Sequence, residues 1–313
     1  MHAQIQSLVP GTQAAGFSSG LSYLFFFNPD FTMELTRNAL ITGANTGIGR
    51  VTAIELSKQG YRLFLAGRSL QRTQAVMDEI RAITGRQDTV QFLPLQLDDL
   101  ASVKACAQQF LDTGLDLHLL VNNAGLAGKR GTTQQGFELA FGANHLGHFL
   151  LTLLLLDKLK SSAPARVVTV ASRAHRMAFK GMPWDKLQQS SRSLSGVPEY
   201  AVSKLANILF SRQLAGVLSA SGVSCYALHP GVVATEVWRE LPRFLRPLLT
   251  WRGMLTPEQG AQTSLHCCLT APATESGLYY DKCRPVSASA AASNDEAAHR
   301  LWDSSMHWVK DFL

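Results

Sequence analysis

Tyr200 and Lys204 stand four residues apart in Tyr200-Ala-Val-Ser-Lys204, inside a stretch with helical spacing. That offset puts both side chains on one helix face, a single turn apart. A free phenol titrates near ~10 and exchanges protons poorly at neutral pH. An ammonium beside it favours the phenolate and draws the tyrosine toward the range useful in general acid–base catalysis. Ser172 closes the β-prone run Arg166-Val-Val-Thr-Val-Ala-Ser172. Its hydroxyl would therefore sit at the carboxyl end of a strand, where open α/β sheets bind their ligands. Many helices carry a Tyr/Lys pair for surface reasons alone, so its meaning depends on what else the chain supplies.

The chain supplies a glycine turn. Thr42-Gly43-Ala44-Asn45-Thr46-Gly47-Ile48-Gly49 follows the β-prone Asn38-Ala-Leu-Ile and opens the helix-like Arg50-Val-Thr-Ala-Ile-Glu-Leu-Ser-Lys. Strand, glycine turn and helix in that order are the context a dinucleotide fingerprint requires. Gly43 permits the tight turn, Gly47 lets backbone approach a pyrophosphate, and Gly49 lets the helix pack on the strand. The helix N-terminus then aims N–H groups and a positive dipole end at the phosphates.

With these residues in place, the chain resembles the short-chain dehydrogenase/reductase family. The motifs fall in the family's order: the glycine turn, Asn122-Asn123-Ala124-Gly125, Asn144, Ser172, Tyr200 and Lys204, then Pro230-Gly231 with Thr235 beyond. The resemblance spans roughly residues 36–285. Gly-Ala-Asn-Thr-Gly-Ile-Gly-Arg, Asn-His-Leu-Gly-His-Phe-Leu-Leu-Thr and Lys-Leu-Ala-Asn-Ile-Leu-Phe read most like its retinol dehydrogenase branch, which interconverts apolar aldehydes and alcohols.

The resemblance implies a catalytic set. Ser172 orients the substrate oxygen, and Tyr200 gives or takes its proton. Lys204 lowers the Tyr200 pKa and holds the nicotinamide ribose. Asn144 anchors a water or backbone group that links Lys204 to solvent. It also implies a cofactor-binding surface. Gly43, Asn45, Thr46, Gly47, Ile48, Gly49 and Arg50 form its phosphate side. Gln96, Leu97, Asn123, Ala124 and Gly125 form the adenine and ribose side. Pro230, Gly231, Val233 and Thr235 lie against the nicotinamide, with Tyr200 and Lys204. At Gln96 the family usually has Asp; the glutamine carbonyl still accepts a hydrogen bond from the adenine amine, without charge.

Charge argues for the cofactor type. An acid that holds the ribose hydroxyls of NAD is expected at the end of the second strand. That region reads Leu63-Phe-Leu-Ala-Gly67-Arg68-Ser69, with no carboxylate. Arg68 and Arg50 suit a 2′-phosphate by charge and by their fork of donors. The expectation is NADP(H) in preference to NAD(H).

Alternating strand-like and helix-like segments predict an α/β, single-domain Rossmann fold over residues 36–313. Its core is a doubly wound parallel sheet of about seven strands flanked by helices. Strands are expected near 38–42, 61–66, 90–95, 116–121, 166–171, 223–228 and 277–280, and a terminal helix over 294–310. A chain of 313 residues, 46% hydrophobic, is long enough for one large core. Residues 1–35 lie outside this pattern as a leader, read as a disordered tail or a cover for an apolar patch. Leu21-Ser-Tyr-Leu-Phe-Phe-Phe27 is far shorter than the ~20 residues that span a bilayer, and lacks the marks of a signal peptide.

Near 232–255, Trp238, Leu241, Phe244, Leu245, Leu248, Leu249, Trp251, Met254 and Leu255 are interleaved with Arg239, Arg243, Arg246 and Arg252. In the family this region is a lid over the substrate, which implies a small lipophilic substrate; the pattern also suits peripheral membrane contact. The expected location is cytoplasmic or membrane-peripheral. A homo-oligomer, common in the broader family, stays open.

Five cysteines, at 106, 225, 267, 268 and 283, have no metal-ligand spacing and fit a reducing compartment. His145 and His148 invite a metal reading by their spacing, but no third ligand is evident and no metal is expected. His175 and Arg176 read as a solvated loop beside the pocket. A net charge of +6, dispersed along the chain, points to no nucleic-acid surface. The reading is thus an oxidoreductase for lipophilic carbonyl compounds. Its alternatives are a non-catalytic NADP(H)-sensing interaction protein and an NAD-linked steroid or sugar-alcohol dehydrogenase.

Overall fold

The computed structural model describes residues 37–232 and 255–313. The leader, most of the expected lid, and Val233 and Thr235 lie outside the described residues.

Chain order is β1 (Arg37–Thr42), α1 (Gly47–Lys58), β2 (Tyr61–Gly67), α2 (Leu70–Thr84), β3 (Val90–Pro94), α3 (Leu100–Leu111) and β4 (Leu119–Asn122). A short α4 (Leu139–Phe141) leads through a π-helical turn (Gly142–Leu146) into α5 (Gly147–Leu154), then α6 (Leu156–Ser161) and β5 (Ala165–Val170). A 3₁₀ turn (Arg173–Met177) precedes α7 (Val197–Val217) and β6 (Val223–His229). The described chain resumes at α8 (Pro257–Leu269), β7 (Tyr279–Asp281), β8 (Arg284–Pro285) and α9 (Asp295–Val309).

These strands form one sheet of order β3-β2-β1-β4-β5-β6-β7-β8, parallel except for the final β7–β8 pair. The sheet has eight strands where the sequence suggested about seven. The extra strand is two residues long, too short to leave a hydrophobic period, and a tight turn at Lys282 and Cys283, both at positive φ, folds it back. The β4 strand begins at Leu119 rather than near 116.

Strand residues feed two cores by their alternation. Leu40 joins Phe64, Leu120 and Val167 under α3, α5, α7 and α9; Ala39 and Ile41 join Leu63, Leu65 and Val121 under α1, α2 and α8. Burial on both faces explains why the strands read as continuous apolar runs. The amphipathic α9 covers the outer side of α5 and α7. Trp302 stacks on Phe210 and meets Phe149 edge-on, while Trp308 packs on Phe137 and Phe141.

From β1 the chain winds outward to β3, then returns to place β4 on the other side of β1. The crevice at the carboxyl ends of β1 and β4 is the topological switch point where such sheets bind ligands. The glycine turn leaves β1 and Asn123-Ala124-Gly125 leaves β4, so both motifs reach this edge.

Candidate active site

At the glycine turn the backbone sets the shape. Gly43 and Gly47 have φ of 68° and 56°, the left-handed region that favours glycine. A Cβ on Gly49 would lie 2.4 Å from both the Gly43 carbonyl oxygen and Asn123 Nδ2, so only hydrogen fits there. Asn123 donates its amide to the carbonyls of Thr42 at 2.8 Å and Gly43 at 3.2 Å, which clamps the turn to the β4 edge. Helix α1 begins with no side-chain cap on its first N–H groups and no acid in its first turn. Its leading donors and positive dipole end are left for an anion, and Asn45, Thr46, Gly47 and Ile48 remain half-buried around them. This cradle fits the phosphates of a dinucleotide.

Behind it, three helix or strand ends bring together buried side chains. Ser172, Tyr200 and Lys204 are 8%, 6% and 3% exposed. Tyr200 hydrogen-bonds Ser172, whose Oγ also accepts the Ala174 N–H at 3.1 Å. Lys204 Nζ sits 5.6 Å from the centre of the Tyr200 ring and donates to the Val170 carbonyl at 2.7 Å. Asn144, in the π-turn, accepts from Leu126 N–H at 2.9 Å and donates to Leu126 carbonyl at 3.0 Å and Ser203 Oγ at 2.9 Å. Gly125 closes the group: a Cβ there would meet Lys204 Nζ at 3.4 Å and Asn144 Oδ1 at 3.5 Å. All four residues of the expected catalytic set therefore converge on one spot beside the cofactor cradle.

The electrostatics differ from the sequence expectation. Lys204 was expected to lower the Tyr200 pKa. In the fold, burial dominates and pushes the phenol up to about 12, with the Ser172 hydrogen bond pulling the other way. Burial also brings the Lys204 ammonium down to about 7. Burial costs each charged form its hydration, which raises the phenol and lowers the ammonium. The phenol is accordingly protonated at neutral pH.

Comparisons with known proteins identify the family. Residues 37–184 match the family model described as short chain dehydrogenase. Human retinol dehydrogenase 11 is 44% identical over 277 residues, covering 85% of this chain and 83% of its own. This chain belongs to the short-chain dehydrogenase/reductase family. Its branch is that of the retinol dehydrogenases. Human dehydrogenase/reductase SDR family member 13 is also 44% identical, over 86% of this chain and 72% of its own. Among solved structures, an NADPH-bound carbonyl reductase from chicken fatty liver superposes with a TM-score of 0.61 at 25% identity, covering 80% of this chain and 98% of that one. An uncharacterised protein from Mycobacterium Paratuberculosis gives 0.69 at 31%, covering 90% and 96%. As a member of this family the protein is an oxidoreductase acting on alcohol or carbonyl substrates with a nicotinamide cofactor.

Other expected cofactor residues take distinct positions. Arg68 is exposed at the end of β2, the position an acid would take for NAD. Arg50 ion-pairs with Glu79, so part of its charge is already committed. Gln96 is exposed and Leu97 half-buried beyond β3. Pro230 and Gly231 follow β6 at the same edge, and Leu255 N–H donates to the Val232 carbonyl at 2.9 Å. The described residues on either side of 233–254 are thus joined by a backbone hydrogen bond.

Several supporting residues were not anticipated. His175, expected in a solvated loop, is fully buried: Nδ1 lies 2.6 Å from the Ser172 carbonyl and Nε2 accepts the Ser289 N–H at 3.1 Å. Arg173 grips Asp281 with Nε at 2.7 Å and Nη2 at 2.6 Å, and its N–H meets His229 Nδ1 at 3.3 Å. Together they pin the Ser172 turn to the ends of β6 and β7. His145 is spent on Ser305 and on packing against Phe141, Phe149 and Phe210. A signal for one group was visible: Asn144, His148 and Thr152 recur every four residues along an otherwise apolar helix.

Proposed function

We propose that this protein interconverts a lipophilic carbonyl compound, retinal-like or another apolar aldehyde or ketone, and its alcohol, with NADP(H) preferred and Tyr200 as general acid/base. The observation that carries this reading is the buried hydrogen bond between Tyr200 and Ser172, beside Lys204 and at the edge of the glycine cradle. A bound nicotinamide supplies or accepts the hydride. The protein's own residues handle the oxygen. Ser172 orients it, and the protonated Tyr200 phenol donates to it in reduction or receives its proton in oxidation. Lys204 stands where it can stabilise the phenolate that donation leaves behind. Lys204 Nζ and Asn207 Nδ2 both donate to the Val170 carbonyl, which ties the lysine to the end of β5.

Arg68, with no acid at the end of β2, supports the 2′-phosphorylated cofactor by charge. The names of the relatives support a retinoid-like or other apolar substrate, and the expected lid over residues 232–255 supports the same class. Among the described residues no helix is long and apolar enough to cross a membrane. The apolar, arginine-rich composition of that lid supports a peripheral contact instead.

The test follows oxidation of NADPH and NADH by purified protein across retinal, long-chain aldehydes, steroids and small ketones. Tyr200→Phe is run in parallel. Turnover with NADPH on apolar compounds, abolished in the variant, is the expected result. Tight NADPH binding with no turnover on any of them would replace this reading with a cofactor-sensing role.

A further inference from the structure

One imidazole in the site has no part in that chemistry, yet it joins the two halves of the site. His148 opens α5, is 1% exposed, and lies one turn beyond Asn144. Its Nδ1 is 3.0 Å from the Asn144 carbonyl oxygen and its Nε2 is 2.9 Å from Thr42 Oγ1. A carbonyl oxygen only accepts, so Nδ1 carries the proton and Nε2 is the acceptor. Thr42 must then donate to it. The same Thr42 oxygen accepts the backbone N–H groups of Asn123 at 3.0 Å and Ala124 at 2.9 Å. Burial, with the Lys204 charge nearby, keeps the ring neutral, which preserves this single tautomer.

The connection continues past Asn144. Its side chain bonds Ser203, and Ser203 Oγ donates to the Tyr200 carbonyl at 2.7 Å. Hydrogen bonds, joined through the backbone and side chain of Asn144, therefore connect Thr42 by way of His148 to the helix that carries Tyr200. The π-turn is part of the link: the Gly147 N–H reaches back to the Gly142 carbonyl, a wider spacing than an α-helix allows. Metal binding is a poor alternative, since both ring nitrogens are already engaged.

We propose that His148 is a positioning residue, which locks the cofactor-holding turn after β1 to the Asn144 turn, so that the cofactor cradle and the Tyr200 helix keep one register. The two bonds serve different halves. The bond to Thr42 steadies the cradle and hence cofactor affinity; the bond to Asn144 steadies the catalytic cluster and hence turnover.

The two can be separated by substitution. An asparagine amide nitrogen stands near where Nδ1 was and keeps the bond to Asn144; a glutamine amide stands near Nε2 and keeps the bond to Thr42. His148→Asn is expected to hold kcat while weakening NADPH binding about three- to tenfold, as read by fluorescence titration. His148→Gln is expected to keep the NADPH Kd while lowering kcat by about the same factor. Thermal unfolding of both variants accompanies the measurements. Equal losses of Kd and kcat in the two variants, failure of both to bind NADPH, or no loss in either would overturn the proposal. The inference rests on the nicotinamide cofactor occupying the cradle, and the Kd comparison needs no turnover. Absence of turnover in the unaltered protein would therefore count against the proposed function, while the Kd of the two variants would still decide the role of His148.

Discussion

The cofactor cradle and the catalytic cluster lie side by side, yet they are built in opposite ways. The cradle is one contiguous segment, half-exposed, and it works through backbone: two glycines at positive φ, a third with no room for a Cβ, and the bare start of α1. The cluster is assembled from the π-turn, the end of β5 and the first turns of α7, and it consists of side chains that are almost wholly buried. Backbone donors keep their strength at the surface because they are fixed by local geometry. Side chains that must exchange a proton need a dry pocket that sets their pKa, and a dry pocket needs several elements. Damage to the first region should therefore appear in binding, and damage to the second in chemistry.

The largest separation is expected at Tyr200. Tyr200→Phe should lower kcat by about 10²–10⁴-fold, the usual contribution of a positioned acid or base, with the NADPH Kd essentially unchanged. A parallel loss of affinity would break the division between the two regions. Gly49→Ala tests the other side. Its Cβ would strike the Gly43 carbonyl and Asn123, both inside the cradle. Cofactor affinity should fall at least about tenfold by fluorescence titration, about 1.4 kcal/mol, while any cofactor-saturated turnover stays closer to the parent.

A smaller effect is expected at Arg68. Arg68→Glu should reduce the ratio of NADPH to NADH affinity by about tenfold, the range for one hydrogen bond to a charged group. An unchanged ratio would assign the choice elsewhere, with the partly committed Arg50 the next residue to vary.

The mildest test concerns pH and stability. Burial holds His145 down to about 3, and His148 and His229 down to about 4, whereas unfolded histidines titrate near ~6.5. Between those values the unfolded chain binds more protons than the folded one, so stability should fall as pH drops from about 6.5 toward 4. Lys204 acts with the same sign at higher pH. Its folded value of about 7 lies below the unfolded value, so its contribution to stability grows as pH rises above about 7. Urea midpoints across pH 4.5–9 check both slopes, and Lys204→Met should flatten the upper one. A midpoint independent of pH across both windows would mean these groups are hydrated in the fold.

Much of this was legible in the residues themselves. Gly43, Gly47 and Gly49 are one motif whose meaning is local, since a turn and a helix start depend on neighbours in sequence. Tyr200 and Lys204 share a helix face through simple periodicity, and the parallel sheet follows from apolar runs alternating with helical ones. Family resemblance supplied Asn144 and Ser172. Other features left no local trace. The two-residue β8 carries no period, and the buried setting of His175 depends on the 289 region closing over it. Lys204 was correctly placed near Tyr200, but its effect on the phenol was not readable from spacing.

By itself, the sequence determined the order of elements, the glycine turn and the candidate proton-handling groups, because short-range sterics and hydrophobic periodicity act between residues close along the chain. Only the tertiary structure decided how those groups are charged and held. Burial raised Tyr200 and lowered Lys204, and contacts such as Thr42 to His148 and Arg173 to Asp281 join residues 106 and 108 positions apart. Desolvation and long-range hydrogen bonding depend on which surfaces meet, and that is settled only when the sheet and its helices close around the site.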